Sequence, residues 1–380
     1  MNRAPGAVSG TPDGAPGMGR PVVVVGAGPC GIAAGIALQR AGLPAVLFDR
    51  SCVVSAITGY PINMTFFSTP EKLAIGGVPF LIARDKPRRA DALAYYRGVV
   101  RHFGLDVRQY EGVTRIDRGS AGFVAHSETT AGVAHRTAAS AVVIATGYFG
   151  SPNRLDVPGE ALPHVTHDFG EGHYAFDQEV VVVGGGNSAA EAALELYRAG
   201  GRVSLVHMYP ELDKGIKPWV LPDLTNRIAE GSIRAHYGTR VARITPEHVV
   251  LTTADGELAV AARHVYLMIG YRPESTLLRQ LGVPIDVATG IPAHDPATME
   301  TSVAGVFIAG VLASGYDANK IFIENGRDHG DLIARRLTAA PDRGPAADRR
   351  SASGPAAAGP NSRHDAAPER AAAHEPRVDG

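Results

Sequence analysis

Cysteine is nearly absent from this 380-residue chain: Cys30 and Cys52 are the only two. That scarcity excludes a disulfide framework, a CxxC redox pair and a cysteine-based zinc site, so any thiol chemistry uses one cysteine or none. An excess of either charge is also lacking, with 37 Lys and Arg against 38 Asp and Glu. This balance gives no electrostatic reason to bind nucleic acid or an anionic membrane surface, and a small molecule is the expected partner. No apolar run approaches the roughly 20 residues of a membrane-spanning helix, and the amino terminus lacks the apolar core of a secretory signal. A cytoplasmic location is the default expectation. His164, His167 and His173 come without a carboxylate or cysteine set at ligand spacing, which favours loop histidines over a metal site.

What the chain does contain is one plan stated twice, at a length suited to two compact domains. Residues 1–19 and 339–380 are rich in Gly, Pro and Ala without apolar periodicity, and both are expected to be disordered tails. Between them, Pro21 to Val25 is a β-branched run ending in Gly26-Ala27-Gly28-Pro29-Cys30-Gly31, with a helical pattern from Ala33 to Ala41 and a stop at Gly42. Val180 to Val183 leads in the same way into Gly184-Gly185-Gly186-Asn187-Ser188-Ala189 and a helical pattern from Ala190 to Ala199. Each unit feeds a second strand, Ala45 to Phe48 and Val203 to Val206, and later an antiparallel ribbon, the second turning at Asp255-Gly256. Each ribbon is followed by an apolar strand ending in glycine, Ala141 to Gly147 and Val265 to Gly270. The prediction is an α/β protein with two Rossmann-like, three-layer dinucleotide-binding domains.

The glycine motifs carry the chemistry. The start of a helix offers unpaired N–H groups and the positive end of the macrodipole to a pyrophosphate, provided that the backbone can come close. In the first motif Gly26 is expected to make the tight turn, Gly28 to admit the phosphate and Gly31 to let the helix pack on the strand. Asp49, at the end of the second strand, is placed to accept hydrogen bonds from a ribose diol. The second motif, Gly184-x-Gly186-x-x-Ala189, has His207 and Met208 where a dinucleotide without a 2′-phosphate would want a carboxylate, and Lys214 and Lys217 follow. That favours NADPH over NADH, although the two lysines are equally readable as solvated surface groups. Phe307 to Gly310 reads as a late strand, after which Asn319 and Lys320 are expected to begin a helix including Ile323 and Asn325. The positive end of such a helix would stabilise negative charge on a bound cofactor.

Further segments point to a family. They are Tyr60-Pro61 through Phe66, Phe67 and Ser68, Lys72 to Phe80, Lys86-Pro87-Arg88-Arg89, Ala145-Thr146-Gly147-Tyr148, Ile216-Lys217-Pro218-Trp219, Gly270-Tyr271-Arg272-Pro273, Asp317-Ala318-Asn319 and Ile321 to Gly326. From about Pro21 to Leu337 the chain resembles the thioredoxin reductase-like flavoproteins, and most closely the bacillithiol disulfide reductase family. The resemblance implies an FAD domain built from residues 20–149 and 271–338, with an NADPH domain of residues 150–270 inserted. It implies FAD contacts from Gly26, Gly28, Pro29, Cys30, Gly31, Asp49, Arg50, Phe66, Ser68, Ala145, Thr146, Gly147, Gly310, Asn319, Lys320 and Ile321. NADPH contacts would come from Gly184, Gly186, Asn187, Ser188, Ala189, His207, Lys214 and Lys217. The implied activity is hydride transfer from NADPH to flavin and reduction of a low-molecular-weight disulfide, bacillithiol disulfide, by a homo-oligomer serving thiol redox homeostasis.

Departures from the wider superfamily matter here. Thioredoxin reductases carry a CxxC shortly before the second glycine motif, but Asp168 to His173 contains no cysteine, so thioredoxin reduction by that route is excluded. The superfamily's Gly-Asp after the last strand is replaced by Gly310-Val311. Cys30 is the thiol that the resemblance names as a catalytic candidate. Its helix start favours the thiolate and a neighbouring pyrophosphate opposes it, so catalysis and plain packing both remain open. For Cys52 a structural role is the reading. A flavin-dependent monooxygenase and a ferredoxin-type NADPH reductase are the alternatives, since both share the two fingerprints.

Overall fold

A computed structural model describes residues 19–318 and 320–339; the expected tails, apart from Gly19 and Ala339, and also Asn319 lie outside them. The first unit begins with β1 (Val22–Val25), α1 (Pro29–Arg40) and β2 (Ala45–Asp49). A longer helix, α2 (Arg89–Phe103), leads to β3 (Val107–Gln109), the ribbon β4 (Glu111–Gly119), β5 (Gly122–Thr129) and β6 (Ala134–Ala139), and then β7 (Ala141–Ile144). The second unit contains β8 (Val165–Thr166), β9 (Glu179–Val183), α3 (Asn187–Arg198), β10 (Arg202–His207) and β11 (Arg234–Tyr237). Its ribbon is β12 (Arg240–Ile244), β13 (His248–Thr253) and β14 (Gly256–Ala261), followed by β15 (His264–Leu267). The chain then returns through β16 (Val306–Ile308) and α4 (His329–Thr338).

Two parallel five-stranded sheets result, ordered β16-β7-β1-β2-β3 and β11-β10-β9-β15-β8. The orders correspond strand for strand, which bears out the repeated plan. The fifth strand exposes the difference: β16 reaches the first sheet from beyond the second unit, whereas β8 precedes the other strands of its own sheet in the chain. Val22 to Val25 and Val180 to Val183 are buried along their whole length, as expected of central parallel strands covered on both faces. Close helix packing ties the carboxy-terminal return to the first unit. A Cβ at Gly330 of α4 would stand 2.6 Å from the Ala34 Cα of α1, so only glycine permits this approach.

Two connections between the sheets run side by side. Asn153 N–H donates to the Gly270 carbonyl at 3.0 Å and Arg272 N–H to the Ser151 carbonyl at 2.8 Å. One expectation is corrected. Lys320 does not open a helix: the helical turn is confined to Ile323–Gly326. The Asn325 side chain explains why, since its Oδ1 accepts the Phe322 N–H at 2.7 Å and its Nδ2 donates to the Lys320 carbonyl at 2.9 Å. Those local bonds take backbone groups that a longer helix would use.

Candidate functional site

The first glycine loop divides its labour by residue. Gly26 has φ +109, and a Cβ there would lie 2.3 Å from the Ala145 carbonyl oxygen. A Cβ at Gly31 would lie 1.9 Å from the Gly26 oxygen, so these two glycines serve the turn and the strand-to-helix packing. Gly28 differs, because no protein atom would come within 4 Å of its Cβ and it faces an open cleft. No side chain caps α1, and Pro29 stands at its first turn, so the leading N–H groups are left for a ligand. Asp49 braces the loop from β2. One of its oxygens accepts the Ala27 N–H at 3.0 Å, and the other accepts the Ser51 N–H at 2.9 Å and the Ser55 hydroxyl at 3.2 Å.

Around this loop the cleft wall includes Arg50, Phe66, Ser68, Ala145, Thr146, Gly147, Gly310 and Ile321. Gly147 has φ +74 and, like Gly28, open space where a side chain would begin. Ser68 donates to Glu324 at 2.8 Å, and the Thr146 hydroxyl to the Glu274 carbonyl at 3.1 Å. Lys320 is an exposed residue paired with Asp317 at 3.5 Å, outside the cleft wall. At the Gly310-Val311 departure, the Gly310 N–H donates to His329 Nδ1 at 3.1 Å. Burial, then the neighbouring His294, lowers the His329 pKa, consistent with an imidazole that accepts at Nδ1.

Cys30 also borders the cleft, but its sulfur is enclosed by glycine backbone. Cβ atoms at Gly310 and Gly326 would lie 3.1 and 2.9 Å from Sγ. Burial, and secondarily the Asp328 carboxylate, pushes the thiol up to about 12, so desolvation outweighs the helix start.

The second loop repeats the arrangement. Gly184 has φ +142, and a Cβ there would stand 2.3 Å from the Met268 carbonyl oxygen. Ala189 is fully buried, while Gly186, Asn187 and Ser188 line the cleft at the uncapped start of α3. His207 borders the cleft but is almost wholly buried. It lies against Gly185, and its Nε2 has no hydrogen-bond partner among the described residues. Lys217 lines the cleft with its ammonium held by Glu191 at 2.7 Å, whereas Lys214 is exposed and off the cleft wall. Chain order hid two charged neighbours. Asp213 N–H donates to the Gly185 carbonyl at 3.0 Å, bringing its carboxylate to 3.0 Å from the Cβ point of Gly186. Arg240 reaches the same end of the cleft from β12.

The two loops open on one continuous cleft of about 2130 Å³. On its wall Tyr271 donates to Asp168 at 2.5 Å, and Phe67, which also borders it, stacks on Trp219 with ring centroids 5.3 Å apart. The Lys86 ammonium sits 4.0 Å from the Trp219 centroid. Among the described residues no group of three or more His, Cys, Asp or Glu is placed to hold a metal ion, and no helix is long and apolar enough to cross a membrane.

Comparison with known proteins agrees with this geometry. Residues 23–310 match the model of the pyridine nucleotide-disulphide oxidoreductase family. Bacilliredoxin reductase Bdr of Bacillus subtilis is 42% identical over 318 residues, covering 83% of this chain and 96% of the relative. The solved bacillithiol disulfide reductase Bdr of Bacillus cereus superposes with a TM-score of 0.82 at 42% identity, covering 84% of this chain and 98% of that one. The Staphylococcus aureus counterpart gives 0.79 at 38% identity, with 84% and 98% covered.

Proposed function

Because this chain belongs to the pyridine nucleotide-disulphide oxidoreductase family and is an FAD- and NADPH-dependent oxidoreductase, we propose that its substrate is a low-molecular-weight disulfide, bacillithiol disulfide. One observation carries the reading: a single cleft joins two uncapped helix starts, each reached through glycine backbone, with no cysteine pair beside it. The open space over Gly28 and Gly147 fits a flavin dinucleotide, and that over Gly186, Asn187 and Ser188 fits the nicotinamide dinucleotide. When bound, the two cofactors supply two-electron chemistry by hydride transfer. The overall exchange is one disulfide, one NADPH and one proton for two thiols and one NADP⁺.

The site residues divide accordingly. Gly26, Gly28, Gly31, Asp49 and Gly147 would hold the flavin nucleotide, Asp49 keeping the loop in register while facing the ribose. Gly184, Gly186 and Asn187 would hold NADPH. In this reading residues 20–149 and 271–338 form the flavin domain and 150–270 the inserted NADPH domain, a division supported by the paired connections near Asn153 and Gly270. A cytoplasmic homo-oligomer is part of the same proposal. The test is anaerobic NADPH oxidation with bacillithiol disulfide, glutathione disulfide, cystine, an oxidised bacilliredoxin and a ferredoxin as separate acceptors. Bacillithiol disulfide should be the preferred acceptor, with two thiols formed per NADPH. Turnover with ferredoxin alone, or only when oxygen is admitted, would overturn it.

A further inference from the structure

The 2′-phosphate that distinguishes NADPH from NADH is strongly anionic, yet the groups that chain order offers it are paired, off the cleft wall or buried. Lys217 is held by Glu191, Lys214 stands off the cleft wall, and His207 is buried against Gly185. Just beyond the end of β10 come Met208 and Tyr209, which carry no charge. A cation arrives from another strand. After β11 the chain turns back across the end of β10, with Gly238 at φ +61 permitting the turn. Gly238 N–H donates to the Tyr209 carbonyl at 3.0 Å and Thr239 N–H to the His207 carbonyl at 3.2 Å. Arg240 therefore opens β12 beside Met208, and its Nη1 lies 3.4 Å from the Met208 sulfur. Both side chains are exposed and line the cleft. Among the described residues Arg240 has no ion pair, and a thioether is a weak acceptor that an anion displaces readily.

We propose that Arg240 recognises the 2′-phosphate of NADPH and sets the preference for it over NADH. A guanidinium presents a planar fork that can bond two phosphate oxygens at once, and β12 delivers it to the place where the residues following β10 bring no positive charge. The proposal rests on the reading of the second glycine loop as the NADPH site. It is tested without turnover, by calorimetric titration of the FAD-saturated full chain with adenosine 2′,5′-bisphosphate and, separately, 5′-AMP. The wild type should bind the 2′-phosphorylated nucleotide more tightly, and more steeply so at low salt. Arg240→Gln should weaken that ligand about tenfold or more while changing 5′-AMP affinity less than about twofold, and Arg240→Lys should recover part of the loss. If Arg240→Gln keeps the wild-type preference, Arg240 is not the determinant and the NADPH reading stands. If the wild type itself binds both nucleotides equally, the NADPH reading falls and this proposal falls with it.

Discussion

Cys30 sits at the start of a helix, where a thiolate is ordinarily favoured, but burial against Gly310 and Gly326 works in the other direction and prevails. A raised pKa keeps the thiol largely protonated near neutral pH, which disfavours the thiolate that an attack on a disulfide needs. Cys30→Ala should therefore retain bound flavin, flavin reduction by NADPH, and disulfide turnover within about threefold of wild type. The lost packing should cost about 1 kcal/mol. The pH dependence has a definite sign. Since folding raises this pKa from 9.0, the neutral thiol's contribution is intact below pH 9 and is lost as pH rises toward 12. The stability gap between wild type and Cys30→Ala, measured by urea unfolding, should narrow between pH 8 and an alkaline value above 10. A gap that widens there, or turnover abolished with flavin still bound, would contradict this account.

At the scale of elements, three segments meet, one of them far from the other two in the chain. The turn before α2 supplies Lys86, the loop near Phe66 supplies Phe67, and the segment between β10 and β11 supplies Trp219. Phe67 and Trp219 are each about half exposed, so the stack is a surface contact between the two segments rather than part of a core. Trp219 is the chain's single tryptophan, which makes its emission a direct reporter. Lys86→Ala and Phe67→Ala should shift that emission to the red and raise its quenching by acrylamide, while changing stability by only about 1 kcal/mol or less. Unchanged emission in both variants would mean that the contact is not maintained in solution.

For the whole molecule, the nucleotides are expected to act as part of the fold, because a ligand that binds only the folded chain stabilises it by mass action. Gly28→Val separates this effect from folding itself. Gly28 has φ −73 and open space at its Cβ, so valine fits the backbone but fills the place reserved for the pyrophosphate. The variant should fold, lack the flavin's visible absorbance, and show a melting temperature that added FAD no longer raises. Retained flavin at wild-type stoichiometry would refute the cradle assignment. Much of this architecture was legible beforehand, because parallel strands buried on both faces appear as unbroken β-branched runs and helix starts that bind phosphate require glycine at set intervals. The sequence by itself determined the two units, their glycine loops, Asp49 at the end of β2 and the absence of a cysteine pair. Tertiary structure alone decided what long-range packing controls. It set the Cys30 sulfur against Gly310 and Gly326, buried His207, paired Lys217 with Glu191, and confined the expected helix at Lys320 to a single turn. It also carried Arg240 to the end of β10, since charge and solvation at a site depend on neighbours that the fold, and not chain order, brings together.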